Sequence, residues 1–219
     1  MPEGIAWRWL GRLAYPTAAQ LQAEHKAAIL AGESHEEIWL LEHPPVITRG
    51  RREVEGLPTP ERLARFGISL ASADRGGLAT YHGPGQLIAW PHVDLRARNL
   101  AIRTYVDRLE EAMILFIRQQ GIESHRRLGA PGVWLGNNKL GAVGVNAGQG
   151  ITTHGLSLNL SVDLDHYRFI TPCGIVDGGV TSLHTHLNHP PSVERAADAL
   201  GAILSRLLST FCGSASETA

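Results

Sequence analysis

From about Asn99 to Gln120 the apolar residues Ile102, Val106, Leu109, Met113, Phe116 and Ile117 fall three or four positions apart, with Arg and Glu on the other face. That period predicts one long amphipathic helix whose stripe belongs to a core. A second stripe, Val193, Ala197, Leu200, Leu204 and Leu207, predicts a final helix over Ser192 to Phe211. Most of what lies between and before these helices is short and β-rich, so any fold for this chain must cover a mixed sheet with few helices.

Ile5 to Ala14 alternates as a strand, and Pro16-Thr17 opens an alanine-rich helix that Gly32 can end. Ile38 to Glu42 and Val46 to Arg49 read as strands held apart by Pro44-Pro45. A short helix over Pro60 to Phe66 and a strand over Ile68 to Ala73 follow, and a strand over Gln86 to Val93 comes after a glycine-rich loop. GVWLGNNKLGAVGVN and THGLSLNLSVD are β-rich, with the Asn137-Asn138 pair suited to a hairpin turn, and Leu164 to Ile170 reads as a short helix. No regular βαβ repeat emerges, which favours α+β, with an irregular mixed sheet, over a doubly wound fold. At 219 residues the chain is expected to be one domain, with a flexible tail from about residue 212.

A net charge of −1 argues against a nucleic-acid partner, whose phosphates need a clustered basic face. Only Cys173 and Cys212 are present, too few for a disulfide framework, so a reducing cytoplasmic setting is expected. Glu3 and Arg8 interrupt the N-terminal apolar run, which fits neither a signal peptide nor a membrane span. Of the basic residues only Lys26 and Lys139 are lysines. Lysine can lose its proton when buried and arginine cannot, which makes a lysine here a hint of chemical need.

Three stretches could carry chemistry. DRGGLATYHGPGQ, Asp74 to Gln86, has four glycines, which suggests special backbone angles or a ligand close to the main chain. It is no phosphate loop, since GxxxxGK[ST] is absent, although Arg75 could bind an anion alone and His82 could have a role. His184, His186 and His189 lack both the i, i+4 spacing of a zinc helix and a nearby carboxylate or thiolate, so no metal is expected. In TPCGIVDGGVTSL, Cys173 is either a buried packing residue or a nucleophile. A nucleophile would need a cation or base beside it, either a histidine or Lys139, and spacing alone does not choose between them.

LEHPPVITRGR, DRGGLATYHGPGQLIAWP, GAPGVWL with NKLGAVGV, HGLSLNLSVDL and FITPCG with VTSL together resemble the lipoyl(octanoyl) transferase family, in order and in spacing, from about Leu41 to Leu183. The resemblance implies a catalytic domain like that of biotin and lipoate protein ligases, a mixed sheet flanked by helices. It implies transfer of an octanoyl group from octanoyl-acyl carrier protein to a lysine of lipoyl domains, those of 2-oxoacid dehydrogenases and the glycine cleavage H protein. Cys173 would carry the acyl chain as a thioester, with Lys139 beside it. The acyl wall would be Arg75, Gly76, Gly77, Leu78, Ala79, Thr80, Tyr81 and His82, completed by Ala142, Val143, Gly144, Gly155, Leu156 and Ser157. His82 and His154 would be polar groups that orient the dyad or the carrier arm. Neither ATP nor metal nor any other cofactor is implied, because thioester exchange followed by amide formation runs downhill. Asn146 stands where many relatives have a basic residue, and Arg49 where an apolar one is common. An ATP-dependent lipoate ligase and a thioester hydrolase are the alternatives on the same fold.

Overall fold

A computed structural model describes residues 4–52, 56–170 and 178–209. The expectations for Cys173, Cys212 and the C-terminal tail therefore lie outside the described residues. The chain starts with β1 (Ala6–Arg12), crosses over through α1 (Tyr15–Ala31), and returns as β2 (Glu37–Glu42), which lies parallel to β1. That is a βαβ unit, and no regular series of such units follows in the main sheet. Pro16 suits the first turn of α1, where an N–H has no partner to lose. Gly32 ends the helix in the left-handed region at φ 74°, and the N–H groups of Gly32 and Glu33 return to the carbonyls of Ile29 and Ala28.

After β3 (Val46–Arg49), α2 (Pro60–Ala64) and β4 (Ser69–Ser72) comes β5 (Ala79–His82), within the stretch expected to be a glycine-rich loop. The four-residue alternation of β5 is masked in the sequence by the glycines on either side. It pairs antiparallel to β3, and β3 pairs parallel to β4, giving a small sheet in the order β4-β3-β5. Then follow β6 (Gln86–His92), α3 (Ile102–Gln119), β7 (Gly132–Leu135), β8 (Asn138–Asn146), β9 (Thr153–Asn159), a 3₁₀ turn over Leu164–Phe169, β10 (Gly179–Val180) and α4 (Val193–Ser209). The hairpin turn falls at Gly136-Asn137, one residue before the expected pair, because Gly136 takes φ 54° and Asn138 already pairs with Leu135.

The main sheet runs β1-β2-β6-β9-β8, with β7 and β10 also paired to β8. Strand alternation separates its two faces. Ile38 and Leu40 of β2 and Leu87 and Ala89 of β6 join the core under α3 and α4, while Trp39, Leu41, Ile88 and Trp90 pack with Tyr15 and Ala18 of α1. The α3 stripe holds from Tyr105 through Ile117, but Ile102, at the helix's first residue, is 45% exposed and outside the core. In α4, Gly201 lets the helix settle on the sheet: a Cβ there would lie 2.5 Å from Trp7 Cδ1. The expected α+β architecture is the one observed.

Candidate active site

The α1-side face of the main sheet carries large residues on β2 and β6 and small ones on β8 and β9. Cross-strand register puts Ile88, Ser157 and Ala142 in one row and pairs Gly155 with Gly144 two residues further on. Four small side chains on adjacent strands leave a gutter between the wall of β6 and the β5 segment above. The cleft so formed measures about 520 Å³ counted to its open mouth. Of the wall residues expected from sequence, Arg75, Gly76, Gly77, Thr80, His82, Ala142, Val143, Gly144, Gly155, Leu156 and Ser157 line it, and so does His154, expected only as an orienting group. Leu78, Ala79 and Tyr81 do not. Along β5 alternate residues point opposite ways, so Thr80 and His82 face the cleft while Ala79 and Tyr81 are buried in the core of the small sheet.

Arg75 is only 8% exposed, and its guanidinium is turned to the protein itself. Nη1 donates to the carbonyls of Gly76 and Leu78, both at 3.0 Å, and Nη2 to Thr48 O at 3.0 Å and Thr48 Oγ1 at 2.8 Å. The anion-binding option raised by the sequence gives way to a clamp that shapes the loop. Gly77 holds φ 90°, and the Gly76 N–H donates to Val145 O at 3.1 Å, fastening the loop across β8. At the rim, Asn146 Nδ2 donates to Asp74 Oδ2 at 2.8 Å while Arg51 Nε donates to Asp74 Oδ1 at 2.6 Å, and these bonds with Arg51 hold the Asp74 carboxyl below its usual range.

A second cavity of about 280 Å³ continues the first, sharing Thr80, Ala142 and Ser157, and Lys139 lies in its wall with Asn159, Tyr167 and Val180. Lys139 is 5% exposed. The GAPGVWL motif builds its channel. Trp134, fully buried, sets its ring centroid 5.2 Å from Lys139 Nζ, a cation–π distance. Gly132 takes φ 132°, and a Cβ there would lie 2.2 Å from Gly141 O and 2.9 Å from Lys139 Cε, so a side chain would displace the lysine stem. The buried Glu110 of α3 accepts the Gly132 N–H at 2.7 Å and fixes where β7 begins. On β10, Val180 pairs with Lys139 itself, and the Thr181 N–H donates to Lys139 O at 2.9 Å.

Behind both cavities runs a polar chain. Gln86 Nε2 donates to Asn159 Oδ1 at 2.9 Å and Tyr167 OH at 3.0 Å, which leaves Gln86 Oε1 to accept from His82 Nδ1 at 2.6 Å. His82 is thus the Nδ1–H tautomer, assigned from the network, with Nε2 free to accept the Thr48 hydroxyl at 3.4 Å. His154 sits in the left-handed region at φ 57° and meets the Trp90 ring edge-on at 5.4 Å. His43 packs between Tyr15, Trp90 and His82, its Nδ1–H donated to Leu13 O at 2.7 Å.

Burial, more than any neighbouring charge, keeps these rings neutral. It lowers His43 and His154 from 6.5 to about 4 and His92 to about 3, and lowers His82 well below 6.5. Above the ordinary histidine value both folded and unfolded chains are neutral at these positions, so stability does not depend on them. As pH falls from 6.5 towards 4, the unfolded chain takes up protons that the folded one refuses, and stability drops by about 1.4 kcal/mol per pH unit for each such ring. The melting temperature is expected to be flat above about pH 7 and to fall steeply through this window. Thermal melts at a series of pH values check it, and a midpoint that holds constant down to pH 4 would show the rings to be solvated.

Among the described residues no group of three or more His, Cys, Asp or Glu side chains could hold a metal ion, and no helix is long and apolar enough to cross a membrane. Sequence reasoning named no role for Tyr15, Ile88 and Trp90 in the cleft, or for Trp134, Asn159 and Tyr167 around Lys139. Period two along β6 places Ile88 and Trp90 on one face of the strand, the signal that links the two.

Residues 14–205 match the family model described as the lipoyl protein ligase A/B catalytic domain. The chain belongs to that family. Within the lipoyl protein ligase A/B family it is 41% identical over 184 residues to the octanoyltransferase of Alkaliphilus metalliredigens, covering 83% of this chain and 84% of the relative. It is 42% identical over 205 residues to the octanoyltransferase of Thiobacillus denitrificans, covering 92% and 89%. In fold it is similar to a putative lipoate protein ligase from T. acidophilum with bound lipoic acid, at a TM-score of 0.73 and 18% identity, over 94% of this chain and 86% of that one. The fold class of this lipoyl protein ligase A/B catalytic domain is thus the one that the sequence resemblance implied.

Proposed function

We propose that this chain, as a single catalytic domain, is an octanoyltransferase that moves an octanoyl group from octanoyl-acyl carrier protein to a lysine of a lipoyl-carrying protein. Lipoyl domains of 2-oxoacid dehydrogenases and the glycine cleavage H protein are the acceptors. Relatives about 40% identical over most of their length are named octanoyltransferases, which supports the octanoyl transfer. Cys173 is the nucleophile and Lys139 its partner, in a reducing cytoplasm, with no metal or cofactor taking part.

One observation carries the pairing. Tyr167, before the segment that bears Cys173, and Val180, after it, both line the cavity of Lys139. These two residues are thirteen positions apart in sequence, and Cys173 lies between them. That both flanks of the Cys173 segment border the cavity of Lys139 supports reading the two as a pair.

In the first half-reaction the Cys173 thiol passes its proton to the Lys139 amine, and the thiolate attacks the thioester carbonyl of the donor. The bond between that carbonyl and the carrier's sulfur breaks, and the carrier leaves as a thiol with the proton from Lys139. In the second, the acceptor amine attacks the Cys173 thioester, Lys139 accepts the amine's proton, and the C–S bond breaks to leave an amide on the acceptor and a Cys173 thiolate that takes that proton back from Lys139. The slot of Ala142, Gly144, Gly155 and Ser157 holds the alkyl chain, each buried methylene contributing about 0.8 kcal/mol.

Incubation with octanoyl-carrier protein and no ATP is expected to add one octanoyl mass to the protein, as an adduct on Cys173 released by dithiothreitol. Cys173→Ala should show none, and a lipoyl domain should take the group from the wild type. A wild type that stays unmodified without ATP would replace this reading with a ligase. Free octanoate as the main product in the presence of a lipoyl domain would replace it with a hydrolase.

A further inference from the structure

A slot that binds an alkyl chain selects length at the point where it closes, and strand register shows where that is. Lys139, Ala142 and Gly144 follow one another along β8, and Gly144 pairs with Gly155. On β6, Ile88 is level with Ala142 through Ser157, and Trp90, two residues on, is displaced in the direction of Gly144. Lys139 and the Gly144 row are thus five strand residues apart, about 17 Å at the usual rise. The row of Trp90 is the far end of the cleft from Lys139.

What stands at that end is large and packed. Trp90 is 4% and Tyr15 5% exposed, and both line the cleft. Their rings meet edge-on at 6.2 Å, and His154 closes against Trp90 from β9. Tyr15 is the first residue of α1, so the end wall is braced by the helix that covers this face of the sheet. None of the three rings carries charge in the neutral range, since His154 is held neutral by burial and Tyr15 is pushed up to about 12; the charge at this end is that of Arg75, which packs on Gly144 with its guanidinium bonded to Gly76, Leu78 and Thr48. A wall of uncharged rings suits a terminal methyl group.

We infer that Trp90 and Tyr15 are the chain-length stop of this enzyme: the terminal methyl of the acyl chain abuts their rings, so that truncating the wall admits longer chains. This rests on the acyl-transfer reading of the cleft. Ile88 forms the side of the slot and the aromatic pair its end, so the two positions differ in what their truncation does.

The test is competition among octanoyl-, decanoyl- and dodecanoyl-carrier protein for adduct formation, read by intact mass. Trp90→Leu and Tyr15→Leu are each expected to raise the decanoyl-to-octanoyl ratio by about fourfold per methylene accommodated, or about fifteenfold for two. Ile88→Ala is expected to lower all three lengths without moving the ratio. Folded end-wall variants that keep the wild-type ratio would overturn the assignment. A second measurement uses the wild type alone, with an octanoyl-carrier protein bearing a diazirine at the terminal carbon. Light should label Trp90 or Tyr15, and labelling confined to Gly76 and Gly77 at the rim would also overturn it. A wild type that forms no octanoyl adduct at all defeats the acyl-transfer reading itself, which the ratio and the label do not address.

Discussion

Lys139→Arg is expected to lower octanoyl transfer by about a hundredfold to ten-thousandfold, the loss associated with removing a general base. The substitution keeps a positive charge and removes the ability to release a proton, since arginine stays protonated throughout. It also changes shape. The lysine stem passes Gly132 with so little room that a Cβ there would come within 2.9 Å of Cε, and the indole of Trp134 lies beneath its nitrogen. A planar guanidinium needs a wider channel than a four-carbon stem.

The two half-reactions separate charge from proton transfer. A thiolate at position 173 is favoured by any nearby cation, so Lys139→Arg should retain more adduct formation from octanoyl-carrier protein than Lys139→Met does. The second half-reaction needs a base for the attacking amine, so both variants should stall there and accumulate the acylated form once it is made. Rapid-quench intact mass, with and without a lipoyl domain, measures both steps. Near-full turnover by Lys139→Arg would eliminate the base and leave only electrostatics.

How legible this was depended on the range of the interaction that decided each feature. Helix α3 and the ends of α1 follow from local rules, the 3.6-residue stripe through Leu109 and Met113 and the left-handed Gly32, and both could be read directly. Strand β5 could not, because Ala79–His82 is too short to announce itself between glycines and exists through pairing with β3, thirty residues earlier. The same limit hid which residues of RGGLATYH face the cleft. Once the strand is known, period two decides between Thr80 and Tyr81, but a stretch taken for loop has no faces. Trp90 and Tyr15 were hidden by distance, one on β6 and one on α1, brought together only when the sheet is assembled. Lys139 stood out for compositional reasons, as one of two lysines in a chain rich in arginine. Its burial against Trp134 is a tertiary fact.

Arg75→Ala is expected to destabilise the protein by about 2–4 kcal/mol, through the loss of buried hydrogen bonds donated by a charged group, and to disable the cleft with it. The four donated bonds end on three carbonyls and one hydroxyl, and all lie at or under the loop that turns from Asp74 into β5. Removing the guanidinium takes a charged donor from all four acceptors, of which Leu78 O keeps the Gly50 N–H and the Thr48 hydroxyl keeps His82; an acceptor left unpaired costs about 1–3 kcal/mol. For a chain of this size the melting temperature should fall by about 10 °C. Gly50 and Gly77 already approach so closely that a Cβ on Gly50 would stand 2.4 Å from Gly77 O, so the loop has no tighter arrangement to collapse into. Loosening it displaces Thr80 and His82 from the cleft wall, and octanoyl adduct formation should fall in step with the lost stability. Arg75→Lys should recover little of either, because one ammonium cannot reach acceptors arranged for a planar fork. Thermal melts and adduct yields on the same samples decide the matter. A variant that melts like the wild type and loses only affinity for the carrier protein would return Arg75 to the anion-binding role that its sequence position first suggested.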